Sequence, residues 1–277
     1  MPELPEVETV VRGLRPHLVG AQIGEVTATV GRLRAPVDVP SLREACRGRT
    51  IRDLRRRAKF IVVDLGDGVG MLLHLGMTGT FRIVPRETPL TPYERVAWEL
   101  ADGRSWRFAD VRRFGAVQVC ALPPGGGDPE ELSGLGPEPL SAGFDGAFLY
   151  AASRARERPV KTHIMDQAVV VGVGNIYASE ALFRAEISPK RRSAALSRAA
   201  AERLALAIKA VLTDAIAAGG TTIGDFRHVD GSEGEFAVNL NVYGRHGLDC
   251  PRCGLTAGLR RIVQAGRSSF YCPRCQR

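Results

Sequence analysis

The 277-residue chain is long enough to bury a sizeable core and most simply holds two domains. Its 44% hydrophobic and 25% charged residues are ordinary for a soluble globular protein, and with no run of about 18 apolar residues a transmembrane helix is not expected. A net charge of +8 and a pI of about 9.5 favour a polyanionic partner over a neutral one.

The N-terminus reads MPELPEVE, without the basic and apolar regions of a signal peptide, so the expected location is cytoplasmic. Val7, Val10, Val11, Leu14 and Leu18 recur at helical spacing over residues 3–18, and Pro5 stands near the start, where a helix tolerates proline. Pro2 is small, so the methionine before it is normally removed, leaving a secondary α-amine. An α-amine titrates near pH 8 and a lysine near about 10.4, which makes the Pro2 nitrogen the most available unperturbed amine nucleophile on the chain. Glu3, Glu6 and Glu8 follow closely. They can shuttle protons beside an amine, and they can equally cap the first turn of the helix.

Residues 22–120 read as mostly strand. FIVVDL (60–65), VGMLLHL (69–75), RVAWEL (95–100), SWRFAD (105–110) and AVQVC (116–120) are short, β-rich and separated by Gly or Asp turns, a pattern of sandwiches and barrels. Residues 47–59 carry six Arg and one Lys against one Asp, and residues 245–277 carry seven Arg against one Asp. Such clustering points to two anion-binding faces, although two solvated faces give the same pattern. Cys46 and Cys120 stand alone and read as reduced thiols.

Five prolines and six glycines in residues 121–143 mark a domain boundary. Helices are expected at Phe144–Glu157, at Ile176–Ala185, and around Leu204, Ile208, Leu212 and Ile216, the last ended by Gly219-Gly220. Residues 221–243 read as a loop and a strand. Asn175 follows Gly172 and Gly174 where a helix begins, which suits an anion site or simply a tight turn.

Cys250 and Cys253 form one C-x-x-C pair, Cys272 and Cys275 another, with eighteen residues between them. Four thiolates at this spacing fit one tetrahedral zinc with a β-hairpin between the pairs, and two disulfides are the competing reading. Four cysteines close the coordination sphere, so such a zinc is structural. Arg260, Arg261 and Arg267 on the hairpin suit phosphate contact.

PELPEVET (2–9) resembles the opening of the formamidopyrimidine-DNA glycosylase family, the bacterial 8-oxoguanine repair enzymes. The likeness continues in order through RRAKF (56–60), HLGMTG (74–79), DVRRFG (110–115), LGPEPL (135–140), VGVGNIYASEALF (171–183), VYGR (242–245) and the ending GRSSFYCPRCQ. It implies an α+β fold: an N-terminal β-sandwich with a leading helix, then a helix-two-turn-helix domain and a four-Cys β-hairpin zinc finger. The corresponding boundaries are 1–125, a linker at 126–143, 144–243 and 244–277.

The resemblance also implies a chemistry. Pro2 is the nucleophile that attacks C1′ of the damaged nucleotide, and Glu3 the general acid/base. Lys59 assists base excision near the lesion phosphate, and Arg267 belongs to the same reacting set as a phosphate ligand. Met77, Arg112 and Phe114 match residues that fill the space left by a flipped nucleotide; without the resemblance, Met77 and Phe114 read as core. Glu6, His74, Lys161, Asn175 and Tyr243 complete the substrate and DNA contacts. One structural zinc, no organic cofactor, damaged duplex DNA as partner, a monomer, no membrane, and a bacterial cytoplasmic location at the nucleoid are the remaining expectations.

Two departures from the family pattern stand apart from this chemistry: Val111 where many members have proline, and Ser268-Ser269 in place of a Thr-containing pair. Residues 222–237 resemble a variable lesion-recognition loop. Two alternatives differ in function: an endonuclease VIII-type enzyme for oxidised pyrimidines, and a non-catalytic zinc-containing DNA-binding module.

Overall fold

A computed structural model describes residues 2–220 and 240–277; the expected recognition loop at 222–237 lies outside these residues. The chain divides into two compact units. One holds the described residues through Ser133 together with Gly219 and Gly220, and the other holds Gly134–Ala218 and residues 240–277. Among the described residues no helix is long and apolar enough to cross a membrane.

The first unit opens with α1 (Leu4–Leu18), followed by β1 (Ile23–Ala28), α2 (Val39–Cys46), β2 (Asp53–Arg57), β3 (Phe60–Asp64), β4 (Val69–His74), β5 (Gly79–Pro85), β6 (Glu94–Leu100), β7 (Arg104–Asp110) and β8 (Ala116–Ala121). The strands form two antiparallel four-stranded sheets, ordered β1-β6-β7-β5 and β2-β3-β4-β8. Alternation sets their inner faces. Ile61 and Val63 of β3, Met71 and Leu73 of β4 and Val117 of β8 share one buried cluster with Phe81, Val96, Trp98, Leu100, Trp106 and Phe108 of the other sheet. Trp98 stacks on Trp106 with ring centroids 4.3 Å apart. The stripe Val7, Val10, Val11, Leu14 and Leu18 seals the same core, as the helical spacing predicts.

The sequence pattern does not reveal α2. The helix turns only Leu42 and Cys46 inward, too few positions to show a period, and it is started by Asp38, whose carboxylate accepts the Ser41 N–H at 3.1 Å. The boundary between the two units falls after Ser133. Ahead of it, Asp128 is held against β2, receiving Arg55 Nη1 at 2.7 Å and Arg57 Nε at 2.5 Å.

The second unit contains α3 (Gly146–Ser153), α4 (Val160–Ile164), α5 (Asn175–Arg184), α6 (Arg198–Ala217), β9 (Arg260–Gln264) and β10 (Arg267–Tyr271). α3 is shorter than the expected Phe144–Glu157. Asp145 caps its start by accepting the Phe148 N–H at 2.7 Å, and Ala155 breaks the continuation with a φ of 54°. The five residues of α4, directly after Pro159, are too few to show periodicity. The strand expected toward residue 243 is absent from Leu240–Tyr243, which is irregular chain. β9 and β10 close a hairpin through Ala265 (φ 46°) and Gly266 (φ 72°), and its two positive φ values match the twist of the paired strands.

Candidate functional site

In the first unit, Pro2 is buried directly before α1, and Glu3 and Glu6 are only 3% and 2% exposed. The Glu6 carboxylate accepts the Glu3 backbone N–H at 2.7 Å, half of a capping box that fixes the entry of the chain into α1. The other half is made by Glu3, whose carboxylate accepts the Glu6 backbone N–H, so both carboxylates carry the cap that the sequence offered as one of two readings, and Glu3 is also the residue next to Pro2. Gly220 packs against this point, since a Cβ added there would stand 3.2 Å from Glu6 Cγ.

Lys59 sits at the tip of the two-residue β2–β3 turn, next to Ala58, whose φ of 55° is left-handed. Backbone strain of this kind is concentrated where a turn must aim a side chain. Lys59 is buried to its last tenth and raises the potential at His74, whose pKa is pushed down to about 4, mainly by burial and then by Arg34 and Lys59. His74 is thus neutral at pH 7. Its Nδ1 accepts the Gly76 N–H at 2.9 Å, which leaves the remaining hydrogen on Nε2.

Met77, Arg112 and Phe114 stand together on two adjoining loops. Met77 is 38% exposed and Phe114 46%, so neither is a core residue. Arg112 lies over the Phe114 ring, 4.8 Å from its centroid. The loops meet backbone to backbone: a Cβ on Gly76 (φ 63°) would stand 2.3 Å from the Phe114 carbonyl carbon. Asp110, at the start of DVRRFG, is fully buried and holds the second loop closed; its contacts were not anticipated, because its donors are mainly backbone groups.

In the second unit, Asn175 is the first residue of α5, after the N-cap Gly174. Lys161 of α4 is 1% exposed. Its ammonium donates to Asn175 Oδ1 at 2.6 Å, the Ser268 carbonyl at 2.8 Å and Ser269 Oγ at 2.8 Å. Tyr243 packs edge-on against Phe270 and its hydroxyl lies 3.5 Å from Asn175 Nδ2. Glu180, inside ASEALF, is the unanticipated organiser here: its carboxylate accepts the backbone N–H groups of Asn241, Val242 and Tyr243, each at 2.9 Å. Arg267 is exposed beside the hairpin turn, with Lys161, Thr162, Gln264 and Ala265 lining a cavity of about 110 Å³ next to it.

The four sulfurs of Cys250, Cys253, Cys272 and Cys275 lie within 4.8 Å of one another. Cys250–Cys275 and Cys253–Cys272 are separated by 3.8 and 3.7 Å. A tetrahedral zinc with bonds of about 2.3 Å sets sulfurs roughly 3.8 Å apart, whereas a disulfide needs about 2.05 Å. The geometry fits the metal, and none of the six cysteines is in a disulfide. Cys250 and Cys272 pack with Phe183, Val242 and Leu259, tying the metal site to α5 and to the segment that carries Tyr243.

Most arginines of the basic run at 47–59 are paired within the fold. Arg49 and Arg52 pair with Asp67, Arg55 and Arg57 with Asp128, and Arg56 with Glu8. The Arg56 and Arg12 guanidiniums hold the half-buried Glu8 below the usual carboxylate range against the opposing effect of burial.

Comparison with known proteins finds three family models in chain order: the formamidopyrimidine-DNA glycosylase N-terminal domain over residues 1–117, the H2TH domain of the same enzyme over 135–227, and a zinc finger found in FPG and IleRS over 247–277. The formamidopyrimidine-DNA glycosylase of Stenotrophomonas maltophilia K279a is 49% identical and that of Alcanivorax borkumensis 50%, with complete coverage of both chains in each case. Among solved structures, a Lactococcus lactis FPG mutant in complex with a Fapy-dG-containing DNA superposes with a TM-score of 0.88 at 30% identity over 100% of both chains. The MutM (FPG) protein of Thermus thermophilus does so with a TM-score of 0.85 at 40% identity, over 99% of this chain and 98% of that one.

Proposed function

Because the chain belongs to the formamidopyrimidine-DNA glycosylase family, we propose that its Pro2 nitrogen, freed by removal of Met1, is the nucleophile that releases oxidised purines from duplex DNA. The protein is a DNA glycosylase for 8-oxoguanine and formamidopyrimidines with the AP lyase activity typical of its family, and it carries one structural zinc. It works as a monomer on nucleoid DNA in the cytoplasm. The sandwich (1–125) performs the chemistry, the linker (126–143) joins it to the helical region (144–243), and that region and the zinc finger (244–277) hold the strand.

The observation that carries the mechanism is the buried pairing of Pro2 with Glu3 at the head of α1. A carboxylate removed from water is unfavourable unless it is hydrogen-bonded, and Glu3 meets this through the capping box of α1 while standing next to Pro2 in the chain. The Pro2 nitrogen forms a bond to C1′ as the glycosidic bond breaks, and the base leaves with that electron pair and takes up a proton. The proton that the Pro2 nitrogen sheds on bonding to C1′ passes to Glu3, which delivers it to O4′ as the sugar ring opens, leaving an iminium between Pro2 and C1′. Only an amine gives this cation, and it acidifies the C2′ hydrogen. Loss of that proton expels the 3′ phosphate, a second elimination expels the 5′ phosphate, and water then frees Pro2.

A base inside the duplex is out of reach, so the nucleotide must leave the stack. Phe114 wedges between bases, Met77 fills the vacated space as a flexible plug, and Arg112 donates hydrogen bonds to the orphaned cytosine. Lys59 contacts the phosphate of the extruded nucleotide, and the neutral His74 offers its Nε2–H to the same strand. Glu6 serves by holding Glu3 in place. Asn175 and Tyr243 contact phosphates at the start of α5, Lys161 acts through Asn175, and Arg267 supplies the phosphate contact from the zinc hairpin.

Borohydride trapping on a duplex carrying 8-oxoguanine opposite cytosine tests this reading. The processed protein traps, and Pro2→Gly traps poorly. Failure of the intact protein to trap would leave only a zinc-containing DNA-binding module, and much faster release of thymine glycol would move the chain to the endonuclease VIII type.

A further inference from the structure

The geometry points to Asp110 as a positioning residue for nucleotide extrusion, acting through the loop that carries Arg112 and Phe114; the inference rests on the wedge role given to those residues above.

Asp110 ends β7 and is 0% exposed. Its carboxylate is filled by three donors. Thr78 Oγ1 donates to Oδ1 at 2.6 Å, the Arg112 N–H to Oδ1 at 3.2 Å, and the Gly115 N–H to Oδ2 at 2.7 Å. The Arg112 N–H is shared with Thr78 Oγ1 at 3.1 Å. One side chain thus closes the 110–115 loop at both ends and ties it to Thr78, the neighbour of Met77. The root of the loop is fixed as well, since Arg95 Nε donates to the Asp110 carbonyl at 2.8 Å and the Asp110 N–H donates to the Tyr93 carbonyl at 2.9 Å.

The loop needs this restraint. Arg113 is held at a φ of 58°, a conformation that L residues leave when nothing enforces it. That turn sends Arg112 and Phe114 outward together, with Val111 also exposed. Exposed side chains on an unrestrained loop would lose rotational freedom at the moment of insertion. A loop already closed by a buried carboxylate pays that cost in folding instead. Aspartate suits the position because an ionised carboxylate only accepts, and all three groups facing it donate. Asparagine of the same size turns an N–H₂ toward one of those donors.

Two substrates separate positioning from chemistry. A duplex containing 8-oxoguanine opposite cytosine requires extrusion, whereas a single-stranded oligonucleotide with a preformed abasic site requires almost none. Asp110→Asn should lower excision from the duplex at least tenfold while changing borohydride trapping on the single strand less than twofold. The fluorescence rise of 2-aminopurine placed beside the lesion should slow in parallel with excision. Thr78→Val removes one leg of the same clamp from a half-buried position and should move both readouts in the same direction by a smaller factor; it decides the matter if Asp110→Asn does not fold. Equal losses on both substrates, or wild-type excision and fluorescence in both variants, overturn the inference. The intact protein is run on the same substrates. If it traps neither, the glycosylase reading itself fails; if it traps both and the variants show no split, only the positioning role of Asp110 fails.

Discussion

Lys161 Nζ lies 2.6 Å from Asn175 Oδ1, and the same buried ammonium also holds the Ser268 carbonyl and Ser269 Oγ. The lysine therefore joins the first residue of α5 to β10 of the zinc hairpin, so Asn175 is aimed by a charge that does not itself face the solvent. Lys161→Met keeps the volume and removes the donor. It leaves three acceptors unsatisfied, at a cost of roughly 3 kcal/mol in stability. Urea unfolding should show a lower midpoint, and fluorescence anisotropy should show at least tenfold weaker duplex binding. An unchanged affinity would show that Lys161 does not act on DNA through Asn175.

Glu180 does for Tyr243 what Lys161 does for Asn175. Its carboxylate takes the backbone N–H groups of Asn241, Val242 and Tyr243 and also Asn241 Nδ2 at 3.1 Å. Glu180→Gln turns two of the acceptor positions into donors that face donors. The expected loss is about 2–4 kcal/mol of stability, with weaker DNA binding because Tyr243 loses its fixed backbone. Stability and affinity both at wild-type values would show that Tyr243 is held by Phe270 packing alone.

The four cysteines, the amphipathic period of α1 and the strand-rich stretch before residue 120 were legible because each is a spacing, and spacing survives in one dimension. Asp110 and Glu180 were not, although both stood inside recognised motifs. Their partners are mainly backbone N–H groups, which every residue but proline has, so nothing in the composition marks them. Met77 and Phe114 illustrate a different limit. Apolar residues in a β-rich stretch read as core, and only the close approach of Gly76 to the Phe114–Gly115 backbone shows the two loops displayed outward. The helices α2 and α4 escaped notice because each is too short to complete an apolar period. The pairing of the basic run at 47–59 was hidden for a physical reason: its acidic partners Glu8, Asp67 and Asp128 lie outside the run, and only folding brings them to it.

Two buried histidines make the fold acid-sensitive. His74 and His163 each have a pKa pushed down to about 4 from 6.5, chiefly by burial; Arg34 and Lys59 add to this at His74, and Arg158 adds to it at His163 while Asp166 opposes. A base with a depressed folded pKa takes its proton first in the unfolded chain. Stability is therefore complete above about pH 6.5 and falls as the pH drops toward 4. Arg158 donates to His163 Nδ1 from Nε at 3.1 Å, an arrangement that protonation destroys. His163→Gln keeps an acceptor for Arg158 and removes the titration. Its urea midpoint should fall less between pH 7 and pH 5 than that of the wild type, by the equivalent of about 1–2 kcal/mol after allowance for solvent screening. Zinc loss through thiolate protonation is common to both proteins and cancels in the difference, so parallel pH profiles would contradict the assignment.

Removing the metal should separate holding from chemistry. The zinc cysteines pack with Phe183, Val242 and Leu259, so an unliganded site loosens both the Arg267 hairpin and the segment that ends in Tyr243. Structural zinc contributes directly to the folding of such small modules. Chelation, or Cys275→Ser, should weaken lesion-duplex binding by at least about a hundredfold, an order set by losing two or more phosphate contacts. Pro2 lies in the other unit and should still trap a single-stranded abasic oligonucleotide with borohydride. Unchanged duplex affinity after verified zinc loss would refute this division of labour.

The salt dependence of binding discriminates among the arginines. If about six phosphates are neutralised, log K should fall with log salt at a slope of roughly −5. Most of the 47–59 run is already paired, and exposed pairs such as Arg52–Asp67 at 3.5 Å are worth at most about 1 kcal/mol. Arg52→Gln should therefore leave both slope and affinity almost unchanged. Arg267, exposed beside the hairpin turn and without a carboxylate partner among the described residues, should behave differently. Arg267→Gln should reduce the magnitude of the slope by about one, uniformly across DNA sequences, as expected for one lost phosphate contact. The comparison is read from titrations at several salt concentrations. Equal slopes for Arg267→Gln and wild type would place the phosphate contact elsewhere, and a reduced slope for Arg52→Gln would mean that Asp67 releases its arginine when DNA binds.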